Sequence, residues 1–171
     1  MNTVAAACRI RPALGREATL LSELAMRSKA NWGYSPAFMA ACREELTYTA
    51  AQIEGAEYTF AVAERAHRLV GFCALGKVSA AEVELEALFV EPADIGTGVG
   101  RALMCHTIAE AVRRGAATLV IQGDPNATAF YEAAGCVPIG TRESASIPGR
   151  MLPVYSLRLD CEPPAAAAAP K

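Results

Sequence analysis

The chain has 171 residues, 53% hydrophobic and 20% charged, with a formal net charge of −2. That length suits a single domain with a real core, and the composition excludes a wholly disordered chain. Without a strong positive field or a basic run, it is not expected to hold nucleic acid or a membrane surface.

The first expected element is a strand over Ala5 to Arg11. Leu20, Leu21, Leu24 and Ala25 then recur at helical spacing, which predicts a helix over Leu14 to Ser28. Ser35 followed by Pro36 is a capping side chain and a first-turn proline, so a second helix should open there and run to about Leu46. From Glu57 the period changes to two. Tyr58, Phe60 and Val62 mark one strand, Leu69, Gly71, Cys73 and Leu75 the next, with Ala66-His67-Arg68 as the hairpin tip. A third strand covers Val83 to Val90 and stops at Pro92.

A long helix is expected over Gly98 to Arg114, with Val99, Leu103, Ile108 and Val112 as its apolar positions and Gly115 as its stop. Thr118 to Gln122 is a short β-branched run with an apolar interior, typical of a buried parallel strand. A short helix over Asn126 to Ala134 ends at Gly135. Strands near Val137 to Arg142 and Val154 to Leu159 flank a loop with Pro148-Gly149. The expected fold is thus a mixed α/β single domain over residues 1–160, with a disordered proline- and alanine-rich tail over 161–171. A right-handed crossover through the long helix makes the Val83 and Thr118 strands parallel neighbours.

Six scattered cysteines (Cys8, Cys42, Cys73, Cys105, Cys136 and Cys161) form no C-x-x-C pair. Free thiols in a reducing cytosol are the better reading. Cys73, Cys105 and Cys136 are expected to pack as small hydrophobes. His67 and His106 have no ligand spacing, so no metal is expected. Arg9 and Arg11 lack a following apolar run, which speaks against a signal peptide, and no run of 18 uncharged apolar residues offers a membrane span. The expected location is cytoplasmic.

The stretch Glu84-Leu85-Glu86-Ala87-Leu88-Phe89-Val90-Glu91-Pro92-Ala93-Asp94-Ile95-Gly96-Thr97-Gly98-Val99-Gly100-Arg101-Ala102-Leu103 carries the chemistry. A strand enters a glycine-rich turn, and the turn opens a helix. The first turn of a helix holds N–H groups without internal partners and a partial positive charge, which suit a phosphate or diphosphate. Gly96, Gly98 and Gly100 permit close approach, and Arg101 offers a charge-assisted contact. The spacing matches neither the dinucleotide fingerprint nor the P-loop. A plain flexible turn remains the competing reading.

This segment resembles the cofactor motif of the GNAT superfamily of N-acetyltransferases, with Gly98 and Gly100 at its glycine positions and Ile95 where Gln or Arg is usual. Asp124-Pro125-Asn126-Ala127-Thr128-Ala129-Phe130-Tyr131-Glu132-Ala133-Ala134-Gly135 looks like the family's second motif. The resemblance implies a mostly antiparallel twisted sheet with one splayed parallel strand pair, flanked by helices. It also implies acetyl-CoA as cosubstrate and an amine acceptor, small molecule or peptide, whose identity stays open. Oligomeric state is open as well, with a homodimer allowed.

The resemblance further implies that the backbones of Leu88, Phe89 and Val90 bond the cofactor's amides. The N–H groups from Gly96 through Thr97, Gly98, Val99, Gly100, Arg101 and Ala102 take its diphosphate. Tyr131 is the expected proton donor to the leaving thiolate; a tyrosine packed on the core is the alternative. Glu84 stands fourteen residues before Gly98, where some members place a base. Glu86 shares its strand face if the strand is regular and competes with it, unless a bulge changes the parity. Both also read as part of a solvated face. Asn126 either bonds the cofactor or caps its helix, a role Asp124 also suits.

Trp32, Tyr34 and Phe38 either line the acceptor pocket or pack in the core. Arg150 and Ser146 either cover that pocket or decorate the surface. Ser146 to Pro153 and Arg27 to Tyr34 also look like segments of a bacterial subgroup of the family. Two other readings compete with the enzyme: a non-catalytic acyl-CoA sensor on the same fold, and a nucleotide-binding α/β domain of another fold.

Overall fold

The computed structural model describes residues 8–159, so Ala5, Cys161 and the tail expected at 161–171 lie outside it. Seven strands and five α-helices follow in order: β1 (Arg9–Pro12), α1 (Ala18–Ala30), α2 (Pro36–Ala41), α3 (Ala50–Glu54), β2 (Tyr58–Arg65), β3 (Arg68–Lys77), β4 (Glu82–Val90), α4 (Val99–Arg113), β5 (Thr118–Gln122), α5 (Thr128–Ala133), β6 (Val137–Glu143) and β7 (Met151–Arg158). Short 3-10 turns precede α1 and α5 and follow β4.

The strands form one sheet in the order β1-β2-β3-β4-β5-β7-β6. Every neighbouring pair is antiparallel except β4 and β5, which run parallel. Each face of the sheet carries its own core. Val99, Leu103, Met104 and Ala111 of α4 and Tyr131 of α5 pack on Val70, Val83, Leu85 and Leu119. Leu21, Leu24 and Ala25 of α1 and Ile53 of α3 pack on Phe60, Val62, Phe72 and Ala87. The mixed α/β domain with a parallel pair inside an antiparallel sheet is as expected.

Several bounds differ, each for a local reason. Helix α2 stops at Ala41, because the chain from Cys42 to Leu46 turns and buries both of those residues. Helix α3 was absent from the expected elements, although Thr49 and Gln52 form a reciprocal capping box, with Thr49 Oγ1 accepting from Gln52 N at 3.2 Å. The buried face of α4 is Val99, Leu103, Met104, Thr107 and Ala111, whereas Val112 is exposed. Thr107 satisfies its buried hydroxyl by donating to Leu103 O at 3.0 Å. The last strand starts at Met151 rather than Val154. Cys105 is exposed on α4 instead of packed, while burial pushes the Cys73 thiol up to about 11. The hairpin tip is Ala66-His67, both with positive φ, as a right-twisted two-residue turn requires.

The feature that positions the site is an irregularity in β4. Ala74 of β3 faces Ala87, but the next residue, Leu75, faces Leu85, so Glu86 is the extra residue of a bulge. Val83 and Leu85 face the α4 core. Beyond the bulge Ala87 and Phe89 face the α1 core, and Leu88 and Val90 take over the α4 side.

Candidate active site

Pairing of β4 with β5 ends at Leu85 and Ile121, so Glu86 to Val90 continue without a neighbour on that side. The strands part there and open a cleft of about 410 Å³. The N–H of Glu91 bonds Val70 O of β3 at 2.9 Å. Alternation along an antiparallel ladder then turns the N–H and C=O groups of Leu88 and Val90 away from β3 and into the cleft. The Val90 N–H is held there only by a 3.4 Å contact to Ser28 Oγ.

At one end of the cleft lies the glycine turn. Gly96 and Gly98 have φ of +79° and +90°, and an added Cβ on either would meet nothing within 4 Å. Their need for glycine is therefore conformational. Gly100 has ordinary helical geometry, but a Cβ there would press on Phe130 Cε2 at 3.2 Å. Helix α4 has no side-chain cap at Gly98. Its first internal bond is Ala102 N to Gly98 O, at 3.0 Å. The N–H groups of Gly98, Val99, Gly100 and Arg101 find no acceptor among the described residues. Four open amides at the positive end of a 15-residue helix, beside two bare glycines, fit a diphosphate. Thr97 does not join them: its N–H bonds Asp94 O at 3.2 Å. Ile95 and Arg101 both line the cleft, so an apolar side chain stands where Gln or Arg is usual and Arg101 carries the positive charge.

The turn is anchored by Asp94, a residue the sequence did not mark. Its carboxylate is almost fully buried and accepts from Arg65 Nη1 at 3.0 Å and Arg68 Nη2 at 2.9 Å. Arg65 also donates to Thr97 Oγ1 at 3.1 Å, tying the turn to the β2–β3 hairpin. We expect Asp94→Ala to cost about 2 kcal/mol or more, because it leaves Arg65 largely buried and unpaired. A drop in melting temperature with weakened acetyl-CoA binding checks this; unchanged values for both refute it.

Tyr131 also lines the cleft, with only 7% of its surface exposed. Its ring packs on Phe130 and Tyr155, with centroids 5.2 and 5.5 Å away. Gly123 makes room for both tyrosines, since a Cβ there would sit 2.9 Å from Tyr131 and 3.0 Å from Tyr155. Tyr155 is satisfied by Thr128 Oγ1 at 2.7 Å, whereas the Tyr131 hydroxyl hydrogen-bonds to no described residue. Burial, then the neighbouring Cys136, Tyr155 and Asp124, push the Tyr131 hydroxyl upward, so it keeps its proton across working pH.

The two glutamates of β4 part company. Glu84 is held by Arg142 Nη1 of β6 at 2.6 Å and does not line the cleft. Glu86, at the bulge, lines it and has no ion-pair partner among the described residues. Partial withdrawal from water raises its carboxyl, as do the charges of Glu84 and Glu57, with Arg142 opposing.

Asp124, not Asn126, is the cap of the turn before α5, accepting from Asn126 N at 3.0 Å. Asn126 Nδ2 donates to Tyr34 Oη at 3.1 Å and to Asp124 Oδ1 at 3.0 Å. Tyr34 donates to Asp124 at 2.8 Å and accepts from Arg150 Nη2 at 2.7 Å, while Lys29 Nζ stands 3.5 Å from Asp124. Burial pushes the Asp124 carboxyl up, but the Asn126 amide, Tyr34, Lys29 and Arg150 outweigh it and hold it below the usual range. Tyr34 stacks on Phe38 at 4.1 Å with both cations over the pair, so Tyr34 and Phe38 serve as structure, and Trp32 alone of the three aromatics lines the cleft. Only the fold joins these residues, from three separated stretches of the chain.

The parting of β4 from β5 beside an uncapped, glycine-opened helix is the arrangement that the sequence resemblance implied. The profile of the Acetyltransferase (GNAT) domain matches residues 34–146, and the chain belongs to that family. Solved structures share the fold. A GCN5-related N-acetyltransferase from Rhodopseudomonas palustris is 22% identical, covers 93% of this chain and 100% of its own, and superposes with a TM-score of 0.74. The PaiA N-acetyltransferase from Thermoplasma acidophilum, in complex with coenzyme A, is 16% identical over 88% of this chain and 98% of its own, with a TM-score of 0.71. YncA from Salmonella typhimurium, solved with its cofactor acetyl-CoA, gives 22%, 96%, 98% and 0.63. No curated protein matches the sequence. Among the described residues no group of acids, cysteines or histidines is placed to hold a metal, and no helix is long and apolar enough to cross a membrane.

Proposed function

We propose that the chain moves the acetyl group of acetyl-CoA to a primary amine by direct attack within a ternary complex. The observation that carries this reading is the cleft itself. Open amides at its α4 end and the free edges of Leu88 and Val90 form one continuous surface for a diphosphate followed by an amide-bearing arm. Acetyl-CoA supplies the thioester, and the chain supplies positions and protons.

An ammonium has no lone pair, so its proton must leave first. Glu86 is the acceptor best placed for it, directly or through solvent, because Glu84 is engaged by Arg142. The neutral nitrogen then forms its bond to the thioester carbon. The Val90 N–H, weakly held by Ser28, is aimed at the oxygen that gains charge. As the carbon–sulfur bond breaks, the Tyr131 hydroxyl gives its proton to sulfur, while the nitrogen, positively charged after attack, releases its second proton to solvent, from which Tyr131 is reprotonated.

The test is amine-dependent release of free thiol from acetyl-CoA, followed across pH. Because Glu86 must be ionised to act and its carboxyl is raised, kcat/KM should fall on the acid side at a pH above the ordinary carboxylate range. In Glu86→Gln that acid limb should vanish and the rate should drop by roughly a hundredfold. No thiol release with any amine sinks the proposal; an acid limb that persists in Glu86→Gln removes only Glu86 from the role of base.

A further inference from the structure

The charges lining the cleft are sorted along its length. Arg101 stands at the α4 end beside the open amides. In the middle, Lys29 and Asp124 face each other, with Arg150 also on Asp124 at 3.6 Å. The far end carries two carboxylates, Glu45 and Glu86, and neither has an ion-pair partner among the described residues. Glu45 follows α2, 41 positions from Glu86 in the sequence, and only the fold brings them to one cavity. Both lie close enough to the buried Tyr48 to act on its hydroxyl.

Glu45 is also positioned rather than loose. Ser146, from the loop between β6 and β7, donates its hydroxyl to Glu45 Oε2 and leaves Oε1 without a described partner. That loop is fixed in turn by Arg150 on Tyr34 and by Ile147 against the α1 core. Trp32, Leu46, Ala87 and Leu152 supply apolar lining to the same cleft. An apolar wall with two separate carboxylates, neither in an ion pair among the described residues, matches a ligand with two positive charges joined by a hydrocarbon segment.

On the amine-acetylation reading above, we infer that the acceptor is a small alkyl diamine or polyamine. Its reacting nitrogen sits beside Glu86, and a second ammonium is held by Glu45. Glu45 is then the residue that sets specificity. A monoamine of equal length leaves Glu45 unanswered, and an amino acid of equal length sets a carboxylate against it, which repels.

The experiment compares putrescine, butylamine and γ-aminobutyrate as acceptors in the thiol-release assay, with acetyl-CoA binding measured in parallel by thermal shift. A charge-assisted contact at a partly open site predicts a kcat/KM for putrescine about tenfold above butylamine, with γ-aminobutyrate below both. In Glu45→Gln the putrescine-to-butylamine ratio should fall towards one, mainly through KM. In Glu45→Lys the order of putrescine and γ-aminobutyrate should reverse. Equal rates for putrescine and butylamine, or a ratio that Glu45→Gln leaves unchanged, overturn the diamine inference while acetyl transfer stands. No release with any of a broad set of amines overturns both, and the thermal shift then shows whether the cofactor site survives. Glu45 is exposed on a turn, so these variants are expected to fold.

Discussion

Replacing Gly98 with valine should abolish measurable acetyl-CoA binding while the protein still folds. Two effects add. At φ +90° a β-branched residue pays about 1–3 kcal/mol of backbone strain, which pulls the turn out of shape. The new side chain also projects into the open space at the head of α4 where the diphosphate is expected. Losing two hydrogen bonds to a charged ligand, at about 1.5 kcal/mol each, weakens binding roughly a hundredfold. Gly98→Asn separates the two effects, since asparagine tolerates the left-handed region but still carries a side chain. Calorimetric titration with acetyl-CoA decides the matter. An unchanged Kd in folded Gly98→Val would remove this turn from the cofactor site.

Tyr131→Phe should cut kcat by about a hundredfold or more, the range of a single positioned proton donor, and leave acetyl-CoA affinity within about twofold. The prediction is sharp because the Tyr131 hydroxyl bonds no described residue. Removing it breaks no internal contact, and the ring keeps its packing against Phe130 and Tyr155. A stability loss above roughly 0.5 kcal/mol is therefore not expected. Equal losses in kcat and in cofactor affinity would assign Tyr131 to binding. An unchanged kcat would leave the thiolate to take its proton from solvent.

The glycine turn was legible because its signal is local. Positive φ at Gly96 and Gly98 and the uncapped start of α4 follow from residues adjacent in the chain. Strand β5 was legible to the residue for a similar reason, since a short β-branched run between turn signals has little else to become. Helix α3 was readable too, through Thr49 and Gln52, but its five residues are too few for periodicity to show. On α4 the expected positions Val99, Leu103 and Ile108 do pack on the core, but Val112 is exposed, and Met104, Thr107 and Ala111 complete the buried face.

The choice between Glu84 and Glu86 was not legible. Strand alternation puts both on one face, and nothing in β4 alone announces a bulge. The bulge exists because β3 pairs Ala74 with Ala87 and Leu75 with Leu85, and Glu84 is occupied because β6 delivers Arg142. The cluster of Lys29, Tyr34, Asp124, Asn126 and Arg150 likewise draws on segments up to 121 positions apart in the sequence.

By itself, then, the sequence determined the order of the elements other than α3, the parallel crossover and the amide-lined turn, because each depends on neighbours within a few residues whose backbone preferences are intrinsic. Tertiary structure alone decided where β4 leaves β5, which carboxylate stays unpaired in the gap, and that Glu45 joins it. Those outcomes rest on pairing register and on ion pairs between distant segments, and no single segment encodes the identity of its partner.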